Sequence, residues 1–117
     1  MTYPDFPDGR YYCHHILTEA DYLLSAYAAT TREAFLADET LKRAFVRSLE
    51  IIGEAVKQVD DGFRTRHPQV EWRKMAGTRD KLIHDYLGVD YELVWDIVQH
   101  KIPAIRAAME EILNSGK

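Results

Sequence analysis

The apolar register between Leu41 and Val59 restricts the folds open to this chain more than any other stretch. Leu41, Phe45, Leu49, Ile52, Val56 and Val59 follow one another at steps of 4, 4, 3, 4 and 3. Such steps keep side chains on one face of a 3.6-residue helix, whereas a half-buried strand needs steps of two. Asp38 stands where an N-cap is wanted, and Asp60-Asp61-Gly62 is expected to close the helix. A helix this long with one apolar stripe must bury it against partners.

The rest of the chain supplies those partners. Ile16, Ala20, Leu23, Leu24 and Tyr27 make a stripe on a helix expected from about Arg10 to Thr30. A third helix is expected between Pro68 and Gly88. A fourth opens on Asp90, carries Val94, Val98, Ile102, Ile105, Met109 and Ile112, and ends at Asn114-Ser115-Gly116. Pro103 lies inside it, lacks an amide donor and should kink it just before itself. No segment alternates with strand period. Short connections between amphipathic helices favour antiparallel packing. The expected architecture is therefore all-α, an antiparallel up-and-down bundle. The 117 residues are read as one domain, 1–117, in which 1–9, with Pro4, Pro7 and Gly9, form an irregular arm.

Several function classes are disfavoured. Cys13 is the only cysteine, so neither an intrachain disulfide nor a cysteine zinc site is available. His14 and His15 are adjacent, His67 precedes a proline and His100 stands alone. No histidine pair has the spacing of a helical metal site, so neither a metal nor another cofactor is expected. No apolar run approaches the ~20 residues of a membrane span, and the N-terminus lacks the character of a signal peptide. A soluble, cytoplasmic protein is expected. The net charge of −4 counts against bulk nucleic-acid binding. The charge is uneven, however: from Phe63 to His84 there are six basic residues against two acidic ones, a local balance of +4. That patch is either a binding surface or an ordinary solvated face.

Within it lies Arg79-Asp80-Lys81-Leu82-Ile83-His84-Asp85-Tyr86. An arginine, a histidine and a tyrosine offer a cation, a proton carrier and a phenol, which suits metal-free phosphodiester cleavage. At ~100° per residue Arg79 and His84 sit roughly 140° apart and do not share a face. Asp80 and His84 are four apart and do, so the carboxylate can fix the imidazole tautomer. Leu82 and Ile83 are candidate core residues. Gly88 is expected to stop the helix just after His84, leaving Tyr86 at or beyond its end. A plain alternative stands beside this: Arg79 and Asp80 on the surface, His84 favoured by the helix dipole, Tyr86 as packing. Glu50 and Glu54, with Lys57 nearby, read mainly as a solvated face, with Glu54 bordering the site as the second reading. Gly53 costs its helix ~1 kcal/mol relative to alanine, which a close helix–helix contact would explain. Trp72 and Trp95 could stack on bases but read as core.

The Arg-x-x-x-x-His-x-Tyr pattern resembles the signature of the HEPN superfamily. The surrounding text is similar to its HepT-like branch, the toxin partners of MNT-type nucleotidyltransferase antitoxins. Three blocks carry the likeness: Arg47-Ser48-Leu49-Glu50-Ile51-Ile52-Gly53-Glu54-Ala55; His67-Pro68-Gln69-Val70-Glu71-Trp72; and Gly77-Thr78 running through the motif to Gly88-Val89-Asp90 and Val94-Trp95. The resemblance as a whole covers about Ile16 to Ile112. Asp80 stands where asparagine is also common in the family, and the N-terminal arm looks private to this chain. The resemblance implies a four- to five-helix bundle that forms a two-fold homodimer, with both motif copies near the interface. It implies metal-independent endoribonuclease activity that restrains growth, and a nucleotidyltransferase antitoxin that adenylylates the tyrosine matching Tyr86. On this basis Arg79, His84 and Tyr86 are the expected catalytic residues and Asp80 their support. Lys81, Arg73 and Lys74 are expected to hold RNA. The alternative is a non-catalytic helical module that docks a nucleotidyltransferase or a nucleotide.

Overall fold

The computed structural model describes residues 8–84 and 88–115, without the side chains of Ile83 and His84. Every regular element in it is a helix. They are α1 (Gly9–Ala28), α2 (Arg32–Leu36), α3 (Glu39–Gln58), α4 (Asp61–Arg66), α5 (Trp72–His84), α6 (Tyr91–His100) and α7 (Ile102–Ser115). Most start for the same local reason: a short oxygen-bearing side chain accepts an amide that the first turn leaves free. The Tyr11 amide donates to Asp8, that of Ala34 to Thr31, that of Leu41 to Asp38 and that of Phe63 to Asp60. Asp90 accepts from both Glu92 and Leu93.

The all-helical expectation holds, and two boundaries differ in detail. Asp60-Asp61-Gly62 does not merely end α3, which is capped at Val59; it opens α4, with Asp60 as the N-cap. The expected fourth helix is two, broken at Lys101. Pro103 occupies the second position of α7, where a missing amide removes no intrahelical bond. α5 reaches His84, and the expected stop just after it, with Gly88 as its cause, falls on 85–87, outside the described residues.

α1 is the central helix, packed between α3 and α7, and α3 in turn packs on α5. Directions follow from paired contacts. Near its start α1 sends Arg10 to the carbonyls of Ile112 and Leu113, and farther along its Asp21 pairs with Arg106, so α1 and α7 are antiparallel. Tyr22 meets Phe45, whereas Tyr12 and His15 share a groove with Ile51 and Ala55, so α1 and α3 are antiparallel too. The stripe read from α3 is the core: Phe45, Leu49, Ile52, Val56 and Val59 are buried with Ile16, Leu23, Val94, Val98, Met109 and Ile112. One end is closed by Tyr27, Phe35, Phe45 and Trp95, with ring centroids 4.6–5.3 Å apart. Trp72 and Trp95 are both buried, as expected. No helix among the described residues is long and apolar enough to cross a membrane.

Candidate functional site

The site begins with a missing side chain. Gly53 lies on the face of α3 that packs against α5. A Cβ there would stand 2.0 Å from Arg79 Cβ and 2.6 Å from Arg79 Cγ, far inside van der Waals contact. The absence of that atom lets the stem of Arg79 lie directly on α3. The close helix contact expected at Gly53 is therefore real, and its partner is the motif arginine.

The rest of that turn of α3 holds the guanidinium. Arg79 Nη2 is 3.6 Å from Glu54 Oε2, and Nη1 donates to Asp80 Oδ1 at 3.3 Å. Asp80 also pairs with Lys57 Nζ. Lys57 first, and Arg79 after it, hold the Asp80 carboxyl below the usual aspartate range. Arg79 is 25% exposed, so its charged edge reaches water while its stem is covered. Its Nε is buried and has no hydrogen-bond partner among the described residues. Both carboxylate contacts are long and half in solvent, so they orient the arginine without saturating it. An arginine with an open edge and a fixed stem is suited to take a phosphate.

An open groove of about 410 Å³ runs beside Arg79, lined from α3 by Glu54 and Lys57 and from α1 by Tyr11, Tyr12 and His15. A second, of about 620 Å³, lies between α4 and the start of α5 and is lined by Arg73 and Lys74.

The expected site residues are thus only partly gathered. Arg79 and Asp80 touch. Arg73 and Lys74 belong to the other groove, where Lys74 pairs with Glu71 at 3.1 Å. Lys81 is exposed and lines neither groove. His84 is the last described residue of α5; its side chain, and all of Tyr86, lie outside the described residues. Glu54 borders the arginine, which was the second reading of that residue. Tyr11 and Tyr12 carried no signal beyond the ordinary i, i+4 spacing of Tyr11 and His15, and His15 was weighed in the sequence only as a metal ligand. Among the described residues no cluster of three or more histidine, cysteine or acidic side chains could hold a metal ion. Burial pushes the Cys13 thiol up to about 11, which makes it a core residue rather than a nucleophile at neutral pH.

Comparison with known proteins agrees with the resemblance. The family model described as ribonuclease HepT-like matches residues 16–112. A candidate RNase of Caldanaerobacter subterraneus subsp. tengcongensis is 46% identical over 108 residues, covering 92% of this chain and 96% of that one. A candidate RNase of Methanocaldococcus jannaschii is 42% identical over 106 residues, with 91% and 88% covered. A probable ribonuclease HepT of Thermococcus cleftensis is 45% identical over 80 residues, with 68% and 73% covered. No solved structure matches the chain.

Proposed function

Given that the chain belongs to the HepT-like ribonuclease family, we propose that it is an endoribonuclease toxin that cuts RNA without a metal ion and is neutralised by an MNT-type nucleotidyltransferase. The observation that carries this reading is the seat of Arg79. Gly53 makes room for its stem, Glu54 and Asp80 steady its guanidinium, and an open groove lies at its edge.

In the proposed reaction the scissile phosphate pairs with Arg79, which stabilises the charge that develops on the phosphoryl oxygens. His84 moves a proton, either from the attacking 2′-hydroxyl or to the leaving 5′-oxygen. Help of this kind is worth ~10²–10⁴-fold. Asp80 lies one turn before His84 and can accept from its imidazole. Tyr86 hydrogen-bonds near the phosphate. The 2′-hydroxyl attack yields a 2′,3′-cyclic phosphate and restricts the substrate to RNA. Lys81, Arg73 and Lys74 hold the RNA backbone. Because Arg73 and Lys74 border a separate groove, they act away from the cut. The working unit is a homodimer of single-domain chains spanning 1–117, in the cytoplasm. The antitoxin transfers AMP from ATP to the Tyr86 hydroxyl with loss of pyrophosphate, and the added phosphodiester and adenosine fill the space beside Arg79.

A second reading has one observation in its favour: the net charge is −4 and both sides of the Arg79 guanidinium already carry a carboxylate. On that reading the chain is a non-catalytic module that docks a nucleotidyltransferase or a nucleotide. One experiment separates the two. The purified protein should cut RNA in excess EDTA. His84→Ala and Arg79→Ala should each lower the rate at least ~100-fold with an unchanged helical circular-dichroism spectrum. Undiminished cutting by both variants, or cutting that requires a divalent ion, refutes the mechanism. In the same preparation, ATP and the partner should add one AMP mass at Tyr86, and Tyr86→Phe should escape it.

A further inference from the structure

The α1 side of the Arg79 groove has no part in the reaction just described. There the Tyr11 ring is 47% exposed. It meets Tyr12 edge-on, with centroids 5.1 Å apart at 86°, and His15 at 4.7 Å and 67°. Tyr11 and His15 are one helical turn apart, so the helix itself sets them on one face. This turn is firmly mounted. Asp8 caps it, Arg10 bonds two carbonyls at the end of α7 at 3.2 and 2.9 Å, and Gly9 lies against the ring of Phe63.

We propose that Tyr11 and His15 form a nucleobase subsite, stacking on an unpaired base of the RNA strand whose phosphate Arg79 holds. The proposal rests on the ribonuclease reading and adds the strandedness of the substrate, because base faces are open to stacking only in single strands. The groove lining selects this occupant. Arg79 and Lys57 line the groove with Glu54, and although Asp80 pairs with both cations, the edge of the Arg79 guanidinium stays open to water on the groove side. A partner with an anionic backbone and flat π-faces satisfies both the cations and the rings. A cationic or purely aliphatic partner satisfies neither. The space, about 410 Å³, suits a nucleotide-sized group rather than a duplex.

The test is fluorescence anisotropy with a short, labelled single-stranded RNA carrying 2′-O-methyl riboses, so that affinity is read without cleavage. Stacking on one aromatic ring is worth enough that Tyr11→Ala should weaken binding on the order of tenfold. Tyr11→Phe, which keeps the ring, should recover the affinity. Tyr22, the other exposed tyrosine of α1, lies outside the groove, and Tyr22→Ala should bind as wild type does. The same RNA annealed to its complement should bind more weakly than the single strand. If Tyr11→Ala binds as tightly as wild type while wild type still cuts RNA, the subsite is overturned and the ribonuclease reading stands. If wild type neither binds nor cuts RNA, both fall. If Tyr11→Ala lowers the mass seen by light scattering and leaves RNA affinity unchanged, the rings pack against protein and the subsite is overturned.

Discussion

Gly53 and Arg79 are the pair on which the site turns. Alanine at position 53 would gain ~1 kcal/mol of helix propensity. It would also place a methyl group 2.0 Å from Arg79 Cβ, an atom next to the backbone that no change of rotamer removes. Overpacking of this kind costs ~1–3 kcal/mol, so the clash outweighs the propensity gain. Gly53→Ala should lower the melting temperature by several degrees, and it should lower cleavage more than stability, since a ~1 Å displacement of a phosphate-binding group can cost ~100-fold. Thermal melts beside initial cleavage rates check this. A variant that melts higher and cuts normally would show that the close contact is not what seats the arginine. Half of this contact was legible in the sequence. A glycine inside a strong amphipathic helix announces that something packs against it. The identity of that partner depends on how the chain turns through α4, which no local pattern records. Glu54 and Lys57 read as solvated charges because they are half in solvent; what spacing does not encode is that α5 lies beside them.

The long helices were readable and the short ones were not, for one reason. α1 and α3 are 20 residues each, long enough for an apolar stripe to recur several times. α2 and α4, at five and six residues, bury one phenylalanine apiece, Phe35 and Phe63, and a single apolar residue has no period. Thr31 and Asp60 were their only local signals, and Asp60 served equally well as the end of the helix before it. The proline of α7 showed that the chain bends near Lys101, but a kink and a break leave the same trace in sequence. The α3–α5 pairing that builds the site carries its own test. Lys57 and Arg79 hold the Asp80 carboxyl below its ordinary range. A carboxyl lowered in the folded state contributes stability above its unfolded value and loses it as pH falls through the folded one. The difference in melting temperature between wild type and Asp80→Asn should therefore be constant from about pH 8 to about pH 5 and should close only below about pH 4. A difference that widens on acidification would mean that Asp80 does not clamp α5 to α3 as an anion.

The most demanding consequence concerns two chains rather than one. Arg79 and His84 lie on one helix, α5, yet their positions diverge by roughly 140° about its axis. One helix cannot readily present both side chains to a single phosphate, whereas a two-fold axis can turn the arginine of one protomer toward the histidine of its partner. Isologous dimers of this kind are the commonest oligomers. One further feature of the chain favours a shared site. Arg79 reaches only a shallow, open groove in a single protomer, and a second copy would enclose it, excluding water and strengthening its hold on phosphate. A composite site also predicts complementation. Arg79→Ala and His84→Ala homodimers should each be inactive, since each lacks one partner in both sites. A heterodimer of the two variants has one dead site and one intact site, made from the arginine of the His84→Ala chain and the histidine of the Arg79→Ala chain. Mixed in equal amounts and allowed to exchange, about half of the dimers are heterodimers, so about a quarter of the wild-type cleavage rate should return. Refolding the two variants together, with mass spectrometry to confirm exchange, makes the measurement. No recovery in a mixture that demonstrably contains heterodimers would place both residues of each site on one chain, and the divergence on α5 would then have to be overcome within that chain.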